Sequence, residues 1–221
     1  MATGQGTDKT DLLKKGVQLE YLTIGCNMIG ALVAGIAGIT TGSIVLISFG
    51  LVSIIGVVMA GMMLLGLRNE LQGQKNKEAH ASMERKVLFT VGVAFFLLAL
   101  YIMNESGSRL YYGEKPETST IGLVLSVLSL AGMPILAVMK FRTARGLESR
   151  SLRIDARETA VCTYFALTLF LGMSFNVWLG WWWADSVAAL LMLPLMVREG
   201  WEAVEGSKRA SYESDSTRTS P

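Results

Sequence analysis

The stretch Ser43–Leu67, SIVLISFGLVSIIGVVMAGMMLLGL, carries no charged residue and decides the class of this chain. Wound as a helix at 1.5 Å per residue it is about 37 Å long. That exceeds a hydrocarbon layer of about 30 Å, which roughly 20 mainly apolar residues can cross. Its apolar residues form a block and do not alternate, so a helix, not a barrel strand, must satisfy the backbone polar groups in lipid. Five further blocks follow the same pattern: Leu19–Ile39, Val87–Met103, Ile121–Met139, Thr159–Leu179 and Trp182–Trp201, the last interrupted by Asp185 and Pro194. Hydrophobic residues make up 51% of the chain and charged ones 17%. The expected fold is all-α: a polytopic, multi-pass integral membrane protein with six transmembrane helices and the lipid bilayer as its surroundings. Which membrane it occupies is left open.

Charge distribution orients the six spans. Both termini and the second and fourth loops share one side, and that side holds every one of the 20 Lys and Arg residues except Arg109 and Lys115. The positive-inside rule then predicts cytoplasmic termini. These cations serve as topological determinants, and no nucleic-acid partner is expected. The predicted organisation is a cytoplasmic N-terminal segment (1–18), a six-helix membrane domain (19–203) and a disordered cytoplasmic tail (204–221) rich in Ser, Thr and charge. The segment before Gly16 is polar, so no removable signal peptide is expected. The longest loops, Arg68–Lys86, Asn104–Thr120 and Lys140–Glu158, are too short to bury a core of their own.

The chemistry available is narrow. The one histidine, His80, falls in a polar loop among Lys77, Glu78 and Glu84, where a solvated side chain is expected. No Walker lysine follows a glycine-rich loop, and no Ser/His/Asp, Cys/His or HExxH arrangement is present, so the chain is not expected to be an enzyme and needs no cofactor. Cys26 and Cys162 both lie in apolar helices, and a structural disulfide is not expected. Small residues crowd the first helix (Gly25, Gly30, Ala31, Ala34, Gly35, Gly38) and suit close helix packing. Trp178, Trp181, Trp182 and Trp183 suit an interfacial anchor.

What remains is a stripe on the fifth helix. Asp155, Glu158 and Cys162 are spaced at 0, 3 and 7 residues and so share one helix face. Ionisable residues at the edge of a membrane span are costly and raise a site hypothesis. Glu158 and Cys162, at i and i+4, offer two of the four ligands that a zinc-like ion takes from thiolate, imidazole and carboxylate groups. A plainer role is also open: Asp155 and Glu158 would favour the positive end of the helix dipole, with Arg153 and Arg157 nearby.

The run Ile154-Asp155-Ala156-Arg157-Glu158-Thr159-Ala160-Val161-Cys162, with Gly180–Leu191 and Val197–Ala203, resembles the fifth and sixth helices of the cation diffusion facilitator (cation efflux) family. Gly42–Ser53 is similar to the second helix of that family's short, membrane-only branch. The resemblance implies exchange of zinc or another divalent cation for protons, often by dimers, through a mid-membrane site on helices two and five. It maps the helix-five ligand positions onto Glu158 and Cys162, with Asp155 one turn before. The two acidic positions of helix two map onto Val52 and Gly56, which have no ligating side chain, while the nearby Ser48 and Ser53 are weak ligands for such an ion. Two functions are expected from this pattern. One is a secondary, proton-coupled transporter with a divalent cation as substrate and Asp155, Glu158 and Cys162 at its metal site. The other is a non-transporting relative that acts as a scaffold or regulatory partner of an active transporter. Homodimer and hetero-oligomer are both compatible with the sequence.

Overall fold

The computed structural model describes residues 3–72, 77–117 and 119–218. Over them the chain forms α1 (Thr3–Thr41), α2 (Ile44–Leu71), α3 (Lys77–Tyr112), α4 (Thr120–Gly146), α5 (Arg150–Leu179) and α6 (Ala184–Arg218), with no strand among the described residues. It is an all-helical, multi-pass integral membrane protein. Helices α1 to α5 are each long and apolar enough to cross a bilayer. Every 18-residue stretch of α6 carries at least three charged residues, drawn first from Asp185, Arg198, Glu199 and Glu202, so it falls short by composition.

Local signals set the helix starts. Ser43, Ser119 and Ser149 are extended N-cap residues whose hydroxyls accept from the backbone N–H of Leu46, Gly122 and Leu152. Such caps satisfy amide donors that the first turn leaves unpaired. Gly180, at φ +67°, closes α5 in the left-handed conformation that glycine adopts without strain. Several helices outrun their apolar blocks. The expected Lys140–Glu158 loop shrinks to residues 147–149, and α3 continues through Tyr112 into the expected Asn104–Thr120 loop. Apolarity marks the part of a helix that sits in lipid, not its ends.

The bundle has two distinct ends. At one, Leu13, Leu67, Ala144 and Leu152 cluster, joining the start of α1, the end of α2, the end of α4 and the start of α5. Lys9 pairs with Glu70 there at 3.0 Å. At the other, the α1–α2 turn meets α3 and the α3–α4 connection: Arg109 donates to the carbonyl of Gly42, and the Glu117 amide donates to Thr41 O at 2.9 Å. Asp185, fully buried at the start of α6, accepts from the Ser43 hydroxyl and from the Ile44 amide (2.8 Å), completing the cap of α2 from across the fold.

The most extensive packing pairs are α1 with α2, α3 with α6, and α4 with α5. The α3–α6 pair is distant in sequence and depends on two facing glycines. A Cβ on Gly92 would lie 2.9 Å from Gly200 O and 2.6 Å from Val204 Cγ2, so only a bare backbone allows this crossing. Val204 against Gly92 and Gly206 beside Leu88 thus carry the packing of α6 on α3 past Gly200, and Arg209–Glu205 (3.7 Å) adds an i, i+4 pair. The backbone is helical over 204–218, the stretch whose composition is that of a polar tail. Residues 219–221 and the His80 side chain lie outside the described residues.

A buried ion network ties α1, α4 and α5. Lys140, fully buried, donates to Glu20 Oε2 at 3.0 Å and pairs with Asp155 Oδ2 at 2.7 Å; Glu20 is also fully buried, and Asp155 is 8% exposed. Counting Lys140 as a loop cation is corrected here: α4 runs on to Gly146, which carries this lysine inside the bundle. Asp155 and Glu158 also lie five and eight residues beyond the start of α5, and its first turn holds no acid. The dipole account of these residues fails on that distance, because the effect fades within the first turn.

Removing one member of a buried ion network leaves its partners charged and unpaired. Lys140→Met is expected to cost about 3–5 kcal/mol, read as a lower unfolding temperature in detergent micelles. Combining it with Glu20→Gln and Asp155→Asn is expected to recover most of that loss. Asp185→Ala, which leaves the Ser43 hydroxyl and the Ile44 amide without their acceptor, is expected to cost about 1–3 kcal/mol in the same assay.

Candidate functional site

The α5 stripe faces a cavity of about 50 Å³ between the helices. Space of that size holds a few waters, or an ion with part of its shell. Asp155, Glu158 and Cys162 all line it, as the spacing on one helix face requires. Opposite them stand Asn27 of α1, Val52 and Gly56 of α2, and Glu199 of α6, within walls otherwise built largely from apolar side chains such as Ile55, Met59, Phe95 and Phe165.

The polar groups of this cavity differ in how far they are already engaged. Asp155 is held by Lys140. The Thr23 and Thr159 hydroxyls donate to carbonyls one turn back in their own helices, Leu19 O at 2.8 Å and Asp155 O at 3.0 Å. Among the described residues, Asn27, Glu158, Cys162 and Glu199 have no side-chain hydrogen bond or salt bridge within the chain. Both cysteines are free thiols. Cys26 and Cys162 pack, partly buried, against the same small cluster of Leu19, Met133 and Leu136.

Burial makes such idle groups expensive. Asn27 is 3% exposed, and a buried amide without a partner costs about 1–3 kcal/mol. A carboxylate in apolar surroundings costs more unless a proton or a cation neutralises it. Four carboxylates, Glu20, Asp155, Glu158 and Glu199, lie in or beside the cavity, and Lys140 is the one cation that pairs with any of them among the described residues. The interior is thus rich in acidic groups. Its geometry is open, however: no three His, Cys, Asp or Glu side chains among the described residues converge closely enough to hold one metal ion. The structure brings the three sequence-predicted residues to one cavity without gathering them around one point.

Sequence reasoning missed Glu20, Asn27, Glu199 and the burial of Lys140. Glu20 had a usable signal, because an acid inside the apolar block Leu19–Ile39 is a site hypothesis by the same rule that picked out Glu158. Glu199 falls in the Val197–Ala203 run and lies across the cavity on the next helix. Asn27 carries no charge, and only its neighbours reveal it.

The chain is 24% identical over 182 residues to an uncharacterized transporter of Methanocaldococcus jannaschii, a match covering 80% of this chain and 63% of that protein. It is 26% identical over 117 residues to a cadmium, cobalt and zinc/H(+)-K(+) antiporter of Bacillus velezensis, covering 52% of this chain and 37% of the relative. It is 27% identical over 104 residues to the cation-efflux pump FieF of Shewanella oneidensis, covering 47% and 33%. The chain therefore spans between one third and two thirds of the length of these relatives. Residues 21–208 match the cation efflux transmembrane domain, a stretch that takes in α2 to α5 whole and most of α1 and α6, and the chain belongs to the cation efflux family.

Proposed function

We propose that this chain is a secondary transporter that moves a zinc-like divalent cation across the membrane in exchange for protons, with Glu158 and Cys162 as its ion contacts on α5. The observation that carries this reading is the idle pair itself: a carboxylate and a thiol, one turn apart, lining a cavity inside a membrane bundle with no partner among the described residues. The names of the Bacillus and Shewanella relatives support the substrate class, and the basic residues on one side of the bundle support cytoplasmic termini.

Chemistry then supplies the coupling. A thiol binds such an ion as thiolate, and a carboxylic acid binds it as carboxylate, so loading the ion releases protons and unloading takes them back. Glu158 and Cys162 each hold either a proton or a share of the ion. In both states the apolar walls enclose no naked charge. Asp155 stands apart from this exchange, because Lys140 neutralises it in place; its role is to fix α5 against α1 and α4.

A second reading is favoured by a specific observation: α2 lines the cavity with Val52, Ile55, Gly56, Met59 and Ala60, none of them an acid, thiol or imidazole, and no three such groups converge among the described residues. On that reading the chain is a non-transporting relative that works as a scaffold or regulatory partner.

Flux into proteoliposomes separates the two. Wild type is expected to take up zinc under an opposing pH gradient, and Glu158→Ala with Cys162→Ala is expected to lower the rate at least about 10-fold, the effect of roughly 1.4 kcal/mol in a barrier. Equal rates in both would remove these residues from the path. No flux of zinc, cobalt or cadmium by wild type, together with co-purification of another transporter, would favour the scaffold.

A further inference from the structure

Resting on the transport reading above, we propose that Asn27 of α1 supplies the contact that α2 does not. The site is then shared by α1 and α5, and a divalent ion of borderline softness is taken by one amide oxygen, one carboxylate oxygen and one thiolate sulfur, with water completing the shell.

Three observations point there. The first is the state of Asn27. The residue is 3% exposed and lines the same cavity as Glu158 and Cys162, and its carboxamide has no hydrogen-bond partner among the described residues. Buried amides are ordinarily paired. One left idle beside a carboxylate and a thiol is free to turn its oxygen toward a cation without breaking any bond.

The second is the backbone of α2. A Cβ on Gly56 would fall 2.6 Å from Asn27 Nδ2, 3.1 Å from Cγ and 3.3 Å from Oδ1. The carboxamide lies flat against the glycine and fills the room in which a side chain at position 56 would have to begin. Gly56 and Asn27 are thus two halves of one arrangement: α2 withdraws its side chain and α1 reaches in through the space. A side chain at position 56 would push the Asn27 carboxamide out of this position.

The third is charge. No third acid, thiol or imidazole among the described residues converges with Glu158 and Cys162, and Asp155 is engaged by Lys140. Carboxylate plus thiolate already matches the two charges of a divalent ion, so a neutral third ligand leaves the loaded cavity uncharged in a medium where net charge is costly. An amide oxygen also suits ions such as zinc, cobalt and cadmium that accept mixed oxygen and sulfur donors.

The test is equilibrium binding of zinc and cobalt to the full chain in nanodiscs, alongside its unfolding temperature. Asn27→Leu keeps the size of the side chain and removes a buried idle amide, so it is expected to weaken zinc binding at least 10-fold while the unfolding temperature holds or rises. Gly56→Ala touches no ligand yet displaces the carboxamide, and a loss of similar size is expected. The double variant is expected to bind no more weakly than the worse single one, since both changes remove the same contact. Asn27→Asp, of equal size and still an oxygen donor but with a charge the loaded cavity does not need, is expected to bind zinc more tightly than Asn27→Leu. Wild-type binding with Asn27→Leu within twofold of it, or Asn27→Asp binding as weakly as Asn27→Leu, overturns the role of Asn27 and leaves the transport reading standing. Wild type that binds neither zinc nor cobalt overturns both.

Discussion

One lysine in a membrane interior sets the terms for the rest of this fold. Lys140 reaches from α4 to Glu20 of α1 and Asp155 of α5, and all three are shielded from solvent. The desolvation cost of such a group is large, and only close, complementary partners offset it. That requirement fixes the three helices in one register. It also decides the face that α5 turns inward, because Asp155, Glu158 and Cys162 share one stripe. Once Asp155 is engaged by the lysine, its neighbours on the stripe must line the cavity beside it.

The cavity in turn is shaped by what α2 lacks. Where the family resemblance predicts acids on this helix, Val52 and Gly56 present an apolar branch and bare backbone, and the carboxamide of Asn27 rests against the glycine. The polar side chains that line the cavity stand on other helices. Glu199 on α6 is one of them, so the chemistry is spread over α1, α5 and α6 instead of being concentrated on two helices.

Hydropathy made the architecture legible, because lipid imposes a single long-range rule on every residue of a span. The blocks around Ser43–Leu67 and Ile121–Met139 could be read one at a time, without knowledge of their neighbours. Helix ends were not legible in this way: the extra turns at Lys77–Lys86, Lys140–Gly146 and Arg150–Glu158 are polar or basic, and composition does not separate a helical turn in water from a loop. Of the site, the α5 stripe was visible because its members lie on one element at regular spacing. Lys140 was hidden by its company, since Arg142 and Arg145 follow it and the run scores as a topological signal. Asn27 was hidden by its neutrality, and its meaning rests on a glycine 29 positions away. Spacing within a helix survives in the sequence, whereas pairing between helices is written only in three dimensions.

The crossing of α3 and α6 through Gly92 and Gly200 bears on how such a chain is made. Synthesis delivers α3 to the bilayer well before its principal neighbour exists, and the cap of α2 waits likewise for Asp185, 142 residues after Ser43. During that interval lipid tails must cover the glycine seam, and water or headgroups must serve the open amides of α2. The order of biogenesis and the order of packing are therefore different, and α6, made after α1 to α5, acts as the clasp that converts inserted segments into a closed structure.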